Sequence, residues 1–325
     1  MKRIAVFTSG GDAPGMNAAV RAIVRNAFNN DLHIYGVLRG YEGMIDGHFK
    51  RLETTDVSNI IHRGGTLLKT ARSQRFMTVD GRKQAYENLV FNDIDALVAI
   101  GGNGTFTGAV KFSEEYPDIP VVGIPGTIDN DLFGTDFTIG FDTAVNTAVQ
   151  AVDKIRDTAD SHNRLFFVEV MGRNSGYIAL HTAIAGGAGG VLIPEEDTNI
   201  DDLVKLLKRG AKRAKLFSIV IVAEGNHMGT VYDIARQVEE KLDVFDDIKV
   251  TVIGHLQRGG SPSAFDRVLA SILGFGAVEA LMEGKAGVMV GIKNNSIHFT
   301  PFKEAISKSK PLNKDLMRLA HILAQ

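Results

Sequence analysis

Two kinds of hydrophobic pattern alternate along the chain. Short, continuous runs of apolar and β-branched residues predict buried β-strands, and longer segments with apolar residues every three or four positions predict α-helices. The predicted strands are Ile4–Thr8, Ile34–Leu38, Ala96–Ile100, Val121–Ile124, Leu165–Val170, Val191–Ile193, Ser218–Ala223, Val250–Gly254 and Val288–Ile292. The predicted helices are Met16–Asn29, Arg82–Asn92, Asp142–Thr158, Ile200–Ala214, Val231–Leu242 and Ala264–Glu283, with the first turns of another at Phe106–Phe112. This alternation indicates βαβ units and an α/β fold with mostly parallel sheets.

Two predicted strands run directly into glycine-rich loops that precede a helix. One loop is Ser9-Gly10-Gly11-Asp12-Ala13-Pro14-Gly15 and the other is Gly101-Gly102-Asn103-Gly104-Thr105. Glycine lets backbone N–H groups approach an anion closely, and a helix N-terminus adds about half a positive charge. Neither spacing fits a common nucleotide-binding fingerprint. Together, however, the loops predict a phosphate-binding crevice at the carboxyl ends of parallel strands.

A pair of carboxylates follows a third predicted strand. In Pro125-Gly126-Thr127-Ile128-Asp129-Asn130-Asp131 the two acids are separated by one residue. Two like charges this close remain ionised only near a cation, which bound magnesium or arginine would supply. Because Asp and Asn are also common in turns, this segment alone fits a polar turn as well as an active site.

Four arginines lie beside glycines or at strand ends. They are Arg72, Arg164, Arg173 and Arg258. A guanidinium group at such a position suits the recognition of phosphate oxygens, although any one of these residues alone fits a solvated surface charge better. The four together favour phosphate binding.

Composition narrows the possible functions. The chain has 325 residues, 44% of them hydrophobic, which is enough for roughly two domains. A net charge of −2 gives no electrostatic case for nucleic acid as a partner. The absence of cysteine excludes disulfides and thiolate chemistry and is compatible with a cytoplasmic protein. No segment reaches the length of about 18 apolar residues that a membrane span needs, so no membrane partner is expected.

Five motifs, several of them long, resemble those of the bacterial-type ATP-dependent 6-phosphofructokinases. They are Thr8–Asn17, Arg63–Thr66, Pro125–Asp131, Met171–Arg173 and Gly254–Pro262, and the resemblance extends nearly from end to end. It implies two Rossmann-like three-layer lobes with a phosphofructokinase-like architecture. The larger, ATP-binding lobe would comprise residues 1–140 and 257–307, and the smaller, fructose 6-phosphate-binding lobe residues 141–256 and 308–325. It also implies a homotetramer.

The resemblance further implies a reaction and a set of roles. The γ-phosphoryl group of MgATP would be transferred to the 1-hydroxyl of fructose 6-phosphate, with Asp129 as general base. The remaining catalytic residues would be Gly11, Arg72, Thr127 and Arg173. ATP would bind Gly11, Arg72, Ser73, Gly102, Asn103, Gly104 and Thr105, and Asn103 and Asp131 would order the magnesium. The sugar phosphate would bind Thr127, Ile128, Asp129, Arg164, Met171, Gly172, Arg173, Glu224, Lys249, His255, Leu256, Gln257 and Arg258, with Arg164 and Lys249 contributed by a neighbouring subunit.

Two glycines predict the phosphoryl donor. Pyrophosphate-dependent relatives have an acidic residue where this chain has Gly104 and a lysine where it has Gly126. An acid at 104 would obstruct and repel the α-phosphate of a nucleotide, and a lysine at 126 would bind pyrophosphate. Glycine at both positions therefore predicts the use of ATP.

Three departures from the family pattern predict altered behaviour. Asn103 replaces the usual aspartate, so a weaker hold on magnesium is expected. Lys249 replaces an arginine and loses its two-pronged geometry, so weaker sugar-phosphate binding is expected. The effector site of the family is incomplete: Arg21, Arg25, Arg156, Gly187, Gly189, Arg213 and Lys215 lie at its positions, but Thr54, Gly189 and Leu216 replace an arginine, a glutamate and a lysine. Altered or absent activation by ADP is expected.

Two other functions remain open at this point. Asn103 would also suit a non-catalytic regulatory subunit with a decayed metal site, against which the intact Asp129, Asp131 and Arg72 argue. Kinases that act on NAD or a lipid share glycine-aspartate loops, but the motifs Met171–Arg173 and His255–Pro262 favour a sugar phosphate.

Overall fold

A computed structural model describes residues 1–161, 164–211 and 218–324. The strands are β1 (Arg3–Thr8), β2 (His33–Val37), β3 (Phe49–Leu52), β4 (Ala96–Gly101), β5 (Val121–Pro125), β6 (Arg164–Val170), β7 (Gly190–Leu192), β8 (Ser218–Ala223), β9 (Asp247–Val252), β10 (Val288–Lys293) and β11 (Ser296–Pro301). The helices are α1 (Met16–Asn29), α2 (Gly40–Ile45), α3 (Val79–Phe91), α4 (Asn103–Glu115), α5 (Phe141–Asp160), α6 (Tyr177–Ala185), α7 (Ile200–Ala211), α8 (Val231–Glu239), α9 (Ala264–Met282), α10 (Phe302–Ser307) and α11 (Lys314–Leu323). Short 3-10 helices lie at Arg75–Met77 and Gly254–Arg258.

The chain forms two compact units. Unit 1 comprises Met1–Ile128, Leu132–Thr143 and Arg258–Lys310, and unit 2 comprises Asp129–Asp131, Ala144–Gln257 and Pro311–Gln325. The division into an ATP-binding lobe and a fructose 6-phosphate-binding lobe, with the boundaries given above, stays a prediction.

Unit 1 is built on a seven-stranded sheet. Its strand order is β11-β10-β5-β4-β1-β2-β3, in which β3 and β11 are antiparallel edge strands and the inner strands are parallel. All six residues of β4 are buried, as expected for a parallel strand covered by helices on both faces. The carboxyl ends of β1, β4 and β5 are neighbours and therefore bring three loops together.

An aromatic chain fills one side of the unit 1 core. The Tyr41 ring stacks on Phe76 with 3.9 Å between the ring centroids and lies 4.8 Å from Phe7. Phe76 in turn stacks on Phe112. This packing therefore holds helix α2, which contains Tyr41, against the 3-10 helix that contains Phe76.

Unit 2 contains a parallel four-stranded sheet. Its order is β7-β8-β6-β9, and its core includes Phe167, Leu192, Val220 and Ile234, each at most 1% exposed. The carboxyl ends of β8, β6 and β9 are adjacent, which repeats the arrangement of unit 1.

The structure confirms the α/β class and most predicted elements, with several wrong boundaries. The prediction Val250–Gly254 is wrong at both ends, because strand β9 covers Asp247–Val252 and Gly254, at φ +54°, starts a 3-10 helix. The helix predicted from Arg82 begins at Val79 because Thr78 accepts a hydrogen bond from the Gly81 N–H and caps it. The helix predicted at Val231–Leu242 ends at Glu239, and the end predicted at Ala214 lies outside the described residues.

Candidate active site

The loop after β1 is fixed by its neighbours on the sheet. The Ser9 N–H donates to the Ile100 carbonyl at 3.0 Å, and the Thr70 hydroxyl donates to the Gly10 carbonyl at 2.7 Å. Gly10 has φ +85°, a conformation that glycine adopts without strain. The second of these bonds also brings residue 70, and with it the segment leading to Arg72 and Ser73, beside the glycine loop.

The loop after β4 is shorter than the sequence predicts. Helix α4 already begins at Asn103, so Asn103, Gly104 and Thr105 form its first turn, and only Gly102 lies between the strand and the helix. The Thr105 hydroxyl donates to the Ser9 carbonyl at 3.1 Å, which connects the two glycine loops. Backbone N–H groups in a first helical turn have no intrahelical partner, so this turn is suited to an anion.

Open space surrounds one of these glycines. A Cβ atom added at Gly104 would have no heavy atom within 4 Å, whereas at Gly126 it would lie 3.0 Å from the buried side chains of Met16 and Ile100. At Gly102 it would lie 3.5 Å from the Thr127 Cβ, so Thr127 and the start of α4 are close together. The unit 1 loops therefore gather Gly11, Gly102–Thr105 and Thr127 at one edge of the sheet.

The loop at residues 63–67 is bound to Asn17, which lies in the first turn of α1 just after the first glycine loop. The Asn17 amide donates to the Arg63 and Gly64 carbonyls at 3.0 and 3.2 Å and accepts from the Leu67 N–H at 2.6 Å. Arg258 lies beside the first loop, since its guanidinium donates to the Asp12 carbonyl at 3.1 Å and a Cβ at Gly11 would be 2.4 Å from its Nη1. A side chain at position 11 would thus displace the end of the Arg258 side chain.

The acid pair belongs to unit 2. Asp129 is 3% exposed and Asn130 is 1% exposed, while Asp131 is half-buried. The Ser175 hydroxyl donates to the Asp129 carbonyl at 3.0 Å, and Asn130 adopts the left-handed conformation at φ +52°. The alternative of an exposed polar turn does not fit this burial.

Glu224 organises the turn after β6. Its Oε1 accepts the N–H groups of Gly172 at 3.2 Å and Arg173 at 2.7 Å, while Arg173 is at φ +53° and its side chain is exposed. Gln257 supports the same turn because its Oε1 accepts the Met171 N–H at 2.8 Å. Predicted residues that follow β6, β8 and β9 are therefore brought together: Met171, Gly172, Arg173, Glu224, His255, Leu256 and Gln257.

Two predicted sugar-phosphate residues lie elsewhere in unit 2. Arg164 is the first residue of β6, and Lys249 pairs with Phe166 near the same end of the sheet. Six residue steps along β6 separate Arg164 from the opposite end, which is roughly 20 Å. Asp247 contacts both cations, at 2.7 Å from the Lys249 Nζ and 3.7 Å from the Arg164 Nε, and its pKa is held low first by the Lys249 ammonium.

The predicted effector residues are only partly described. Arg21 and Arg25 lie one turn apart on α1, where Arg25 is exposed, as the sequence predicts for a polar face. Arg156 donates to the carbonyls of Gly186 and Gly187 at the end of α6, and a Cβ at Gly189 would meet the Ser218 hydroxyl at 2.4 Å. Arg213, Lys215 and Leu216 lie outside the described residues.

The oxygen donors present suit magnesium. Asp131 in unit 2 offers a carboxylate and Asn103 in unit 1 an amide oxygen, and each is a type of oxygen donor that magnesium accepts beside substrate phosphates. Within the described ranges no three His, Cys, Asp or Glu side chains are grouped so as to hold a metal by themselves. Across the same residues, no helix combines the length and apolarity that crossing a membrane requires.

Two further carboxyl groups have raised pKa values. Burial raises the pKa of Asp266, which is completely buried and accepts hydrogen bonds from the Gly140 and Thr143 N–H groups and the Thr143 hydroxyl, to about 6. Burial, followed by the charge of Glu224, raises the pKa of Glu169 at the end of β6. The hydrogen bonds of Asp266 stabilise the first turn of α5. Neither Asp266 nor Glu169 was identified from the sequence.

Comparison with known proteins decides the family. The phosphofructokinase family model matches residues 3–281. This chain belongs to the phosphofructokinase family. A relative from Cytophaga hutchinsonii named ATP-dependent 6-phosphofructokinase is 56% identical over 99% of this chain and 98% of its own length. One from Thermus thermophilus, named ATP-dependent 6-phosphofructokinase 1, is 55% identical over the full length of both chains.

Solved structures share the fold of the family. The phosphofructokinase of Saccharomyces cerevisiae superposes with a TM-score of 0.90 and 38% identity, covering 99% of this chain and 47% of that one. A pyrophosphate-dependent phosphofructokinase from Marinobacter aquaeolei gives a TM-score of 0.84 at 23% identity, covering 97% of this chain and 86% of its own, and shows the fold alone.

Proposed function

We propose that this protein is an ATP-dependent 6-phosphofructokinase, which transfers the γ-phosphoryl group of MgATP to the 1-hydroxyl of fructose 6-phosphate and releases fructose 1,6-bisphosphate. The observation that carries this is identity above 50% along the whole chain to relatives with that name. The names of these relatives also favour a sugar phosphate over NAD or a lipid as the acceptor.

The loops of unit 1 support its role as the ATP-binding lobe. Gly11, Gly102–Thr105 and the Arg72–Ser73 segment would receive the nucleotide phosphates, because they combine glycine backbone that a phosphate can approach closely, a helix N-terminus and a guanidinium group. Thr127, Arg72 and the Gly11 N–H would stabilise the charge that spreads over the equatorial oxygens of the moving phosphoryl group.

Asp129 is proposed as the general base. Its carboxylate would take the proton of the 1-hydroxyl as the oxygen attacks phosphorus, a role worth about 10²–10⁴ in rate. Burial of Asp129 at 3% exposure supports the role, since a carboxylate shielded from water interacts more strongly with the groups around it. Arg173 would stabilise the transferred group, while Met171, Gly172, Glu224, His255, Leu256, Gln257 and Arg258 would hold the sugar phosphate together with Ile128.

Magnesium would be held by Asp131 and Asn103 together with the nucleotide. When bound, it would neutralise charge on the phosphate oxygens. Asparagine at 103 retains an oxygen donor without the negative charge that aspartate would add, so we infer activity with a higher magnesium requirement.

A homotetramer is proposed from the resemblance to the bacterial-type family, and the positions of two cations support a site shared between copies. Arg164 and Lys249 lie at the end of the unit 2 sheet opposite to Arg173 and Glu224, and one chain would not use all four on a single sugar phosphate. Arg164 and Lys249 would instead complete the site of a neighbouring copy. A cytoplasmic location is proposed because the sequence contains no cysteine, a composition compatible with that compartment.

Regulation by ADP is proposed to be altered or absent. Arg156 already donates to two backbone carbonyls, and Thr54 and Gly189 provide neither the arginine nor the glutamate of the family's effector site. Sigmoidal fructose 6-phosphate kinetics that ADP relieves would contradict this.

A coupled assay with ATP, magnesium and fructose 6-phosphate tests the function. We expect turnover with ATP and much slower turnover when pyrophosphate replaces it. Absence of fructose 1,6-bisphosphate formation by the intact, tetrameric protein would refute the proposal, and faster turnover with pyrophosphate would refute the choice of donor.

A further inference from the structure

A buried arginine connects two segments of unit 1. Arg82 lies on α3, and its side chain is 6% exposed, whereas that of its partner Glu115 is 31% exposed. A charge this buried is costly unless every donor is satisfied. The hydrogen-bond partners of Arg82 therefore indicate which elements the buried guanidinium group connects.

The Arg82 guanidinium makes four hydrogen bonds in two directions. Its Nε and Nη2 donate to the two carboxylate oxygens of Glu115 at 2.7 and 2.6 Å. Its Nη1 donates to the carbonyls of Phe76 and Met77 at 3.0 and 2.9 Å. The carboxylate lies at the end of α4, and the two carbonyls belong to the 3-10 helix Arg75–Met77, so one planar group fixes the distance between these elements.

Both elements lead to proposed nucleotide residues. The Phe76 N–H donates to the Ser73 hydroxyl at 3.1 Å, so the carbonyls that Arg82 holds belong to the same short turn as Ser73 and Arg72. Glu115 is the last residue of α4, whose first turn contains Asn103–Thr105. A helix of 13 residues is about 20 Å long and moves as a rigid rod, so fixing its last residue restricts its first.

Tyr41 makes a second connection between the same elements. Its hydroxyl donates to the Thr105 carbonyl at 2.6 Å, and its ring stacks on Phe76. The Arg75–Met77 helix is thus connected to the last residue of α4 through Arg82 and to its first turn through Tyr41. These two connections fix its position relative to the start of α4.

We propose that Arg82 and Glu115 are positioning residues, which hold the Arg72–Ser73 segment in register with the first turn of α4 and so set the affinity for the nucleotide. The inference rests on the proposed function. The fork of arginine is essential to it, because lysine keeps the charge but is unable to bind a carboxylate in two places and two carbonyls at once.

The test uses Arg82→Lys, Glu115→Gln and the double variant in the intact protein. We expect the KM for ATP and the dissociation constant for MgADP, measured by calorimetry, to rise about 10- to 100-fold, while the KM for fructose 6-phosphate stays unchanged. The double variant should lose no more than the worse single variant, because both substitutions break one unit. The matched control is Glu114→Gln, since the neighbouring Glu114 forms an exposed pair with Lys303 at 2.6 Å and should change neither constant.

Three outcomes are distinguishable. Variants with a lowered midpoint of thermal unfolding but unchanged constants for ATP and MgADP would overturn the proposal and leave a purely structural pair. If Arg82→Lys does not fold, Glu115→Gln, which keeps an acceptor oxygen for Arg82, decides the question alone. If the wild-type protein does not phosphorylate fructose 6-phosphate, the proposed function fails, but the MgADP titration still supports or overturns the positioning role.

Discussion

Gly104→Asp is expected to lower kcat/KM for ATP without harming the fold. Gly104 is exposed in the first turn of α4, and a Cβ there would have no heavy atom within 4 Å. Replacing a helical glycine by alanine stabilises by roughly 0.5–1 kcal/mol, of which aspartate keeps only a small part because its helix propensity is low, and a negative charge at a helix N-terminus adds about 0.3–1 kcal/mol. The folded state should therefore gain slightly.

The expected loss of activity comes from charge repulsion. One unit charge about 4 Å from a second like charge costs about 1 kcal/mol in bulk water and about 4 kcal/mol at an effective dielectric of 20. At about 1.4 kcal/mol per decade, this corresponds to a loss of kcat/KM for ATP of between roughly 5-fold and 1,000-fold. Because Gly104 is open to solvent, water reduces the effect until the nucleotide covers it.

Steady-state kinetics at varied ATP and saturating fructose 6-phosphate measures the effect. Gly104→Asn has nearly the same shape without the charge, so it should retain most of the activity. If the aspartate and asparagine variants have equal kcat/KM for ATP, repulsion is not the cause. If both match wild type, the nucleotide does not pass close to position 104.

Three other side chains, those of Asp129, Asn103 and Asp266, have roles that substitution tests. Asp129→Asn should lower kcat by about 10²–10⁴ with little change in either KM, as initial rates would show; turnover within a few-fold of wild type would exclude Asp129 as the base. Asn103→Asp should lower the magnesium concentration for half-maximal rate, and an unchanged magnesium titration would contradict the role of that position. The pKa of Asp266 rises from 3.8 to about 6 on folding, so its contribution to stability is full below about pH 4 and is lost as pH rises through 6, a change of about 3 kcal/mol. Denaturant unfolding at fixed protein concentration should show this slope in wild type and not in Asp266→Asn; equal slopes would refute it.

The inner strands were predictable because they are continuous apolar runs. Strand β4 is buried at every residue, and α1 was predicted with its observed bounds. The edge strands β3 and β11 were missed because they carry polar residues such as Lys50, Arg51 and His298 on their exposed positions. For the same reason the start of β9 was placed too late, since Asp247 and Lys249 interrupt its apolar pattern.

The residues at strand ends could be predicted from the sequence, but the side chains that hold those loops in place could not. Loops after β1, β4 and β5 follow from local sequence, because parallel strands place their carboxyl ends together. Arg82 and Glu115 are 33 positions apart, and nothing in a helical spacing pattern connects them. Asp266 likewise resembles any acid in a first helical turn until the fold brings Gly140 and Thr143 to it.

If Arg164 and Lys249 complete the site of a neighbouring copy, as proposed, the concentration of the protein becomes a kinetic variable. A chain that dissociates from its neighbours would keep its glycine loops and Asp129 but lose two borrowed positive charges. Dilution would then weaken affinity for the hexose while leaving that for the nucleotide intact. The rate of sugar phosphorylation would then fall steeply below the protein concentration at which the subunits assemble.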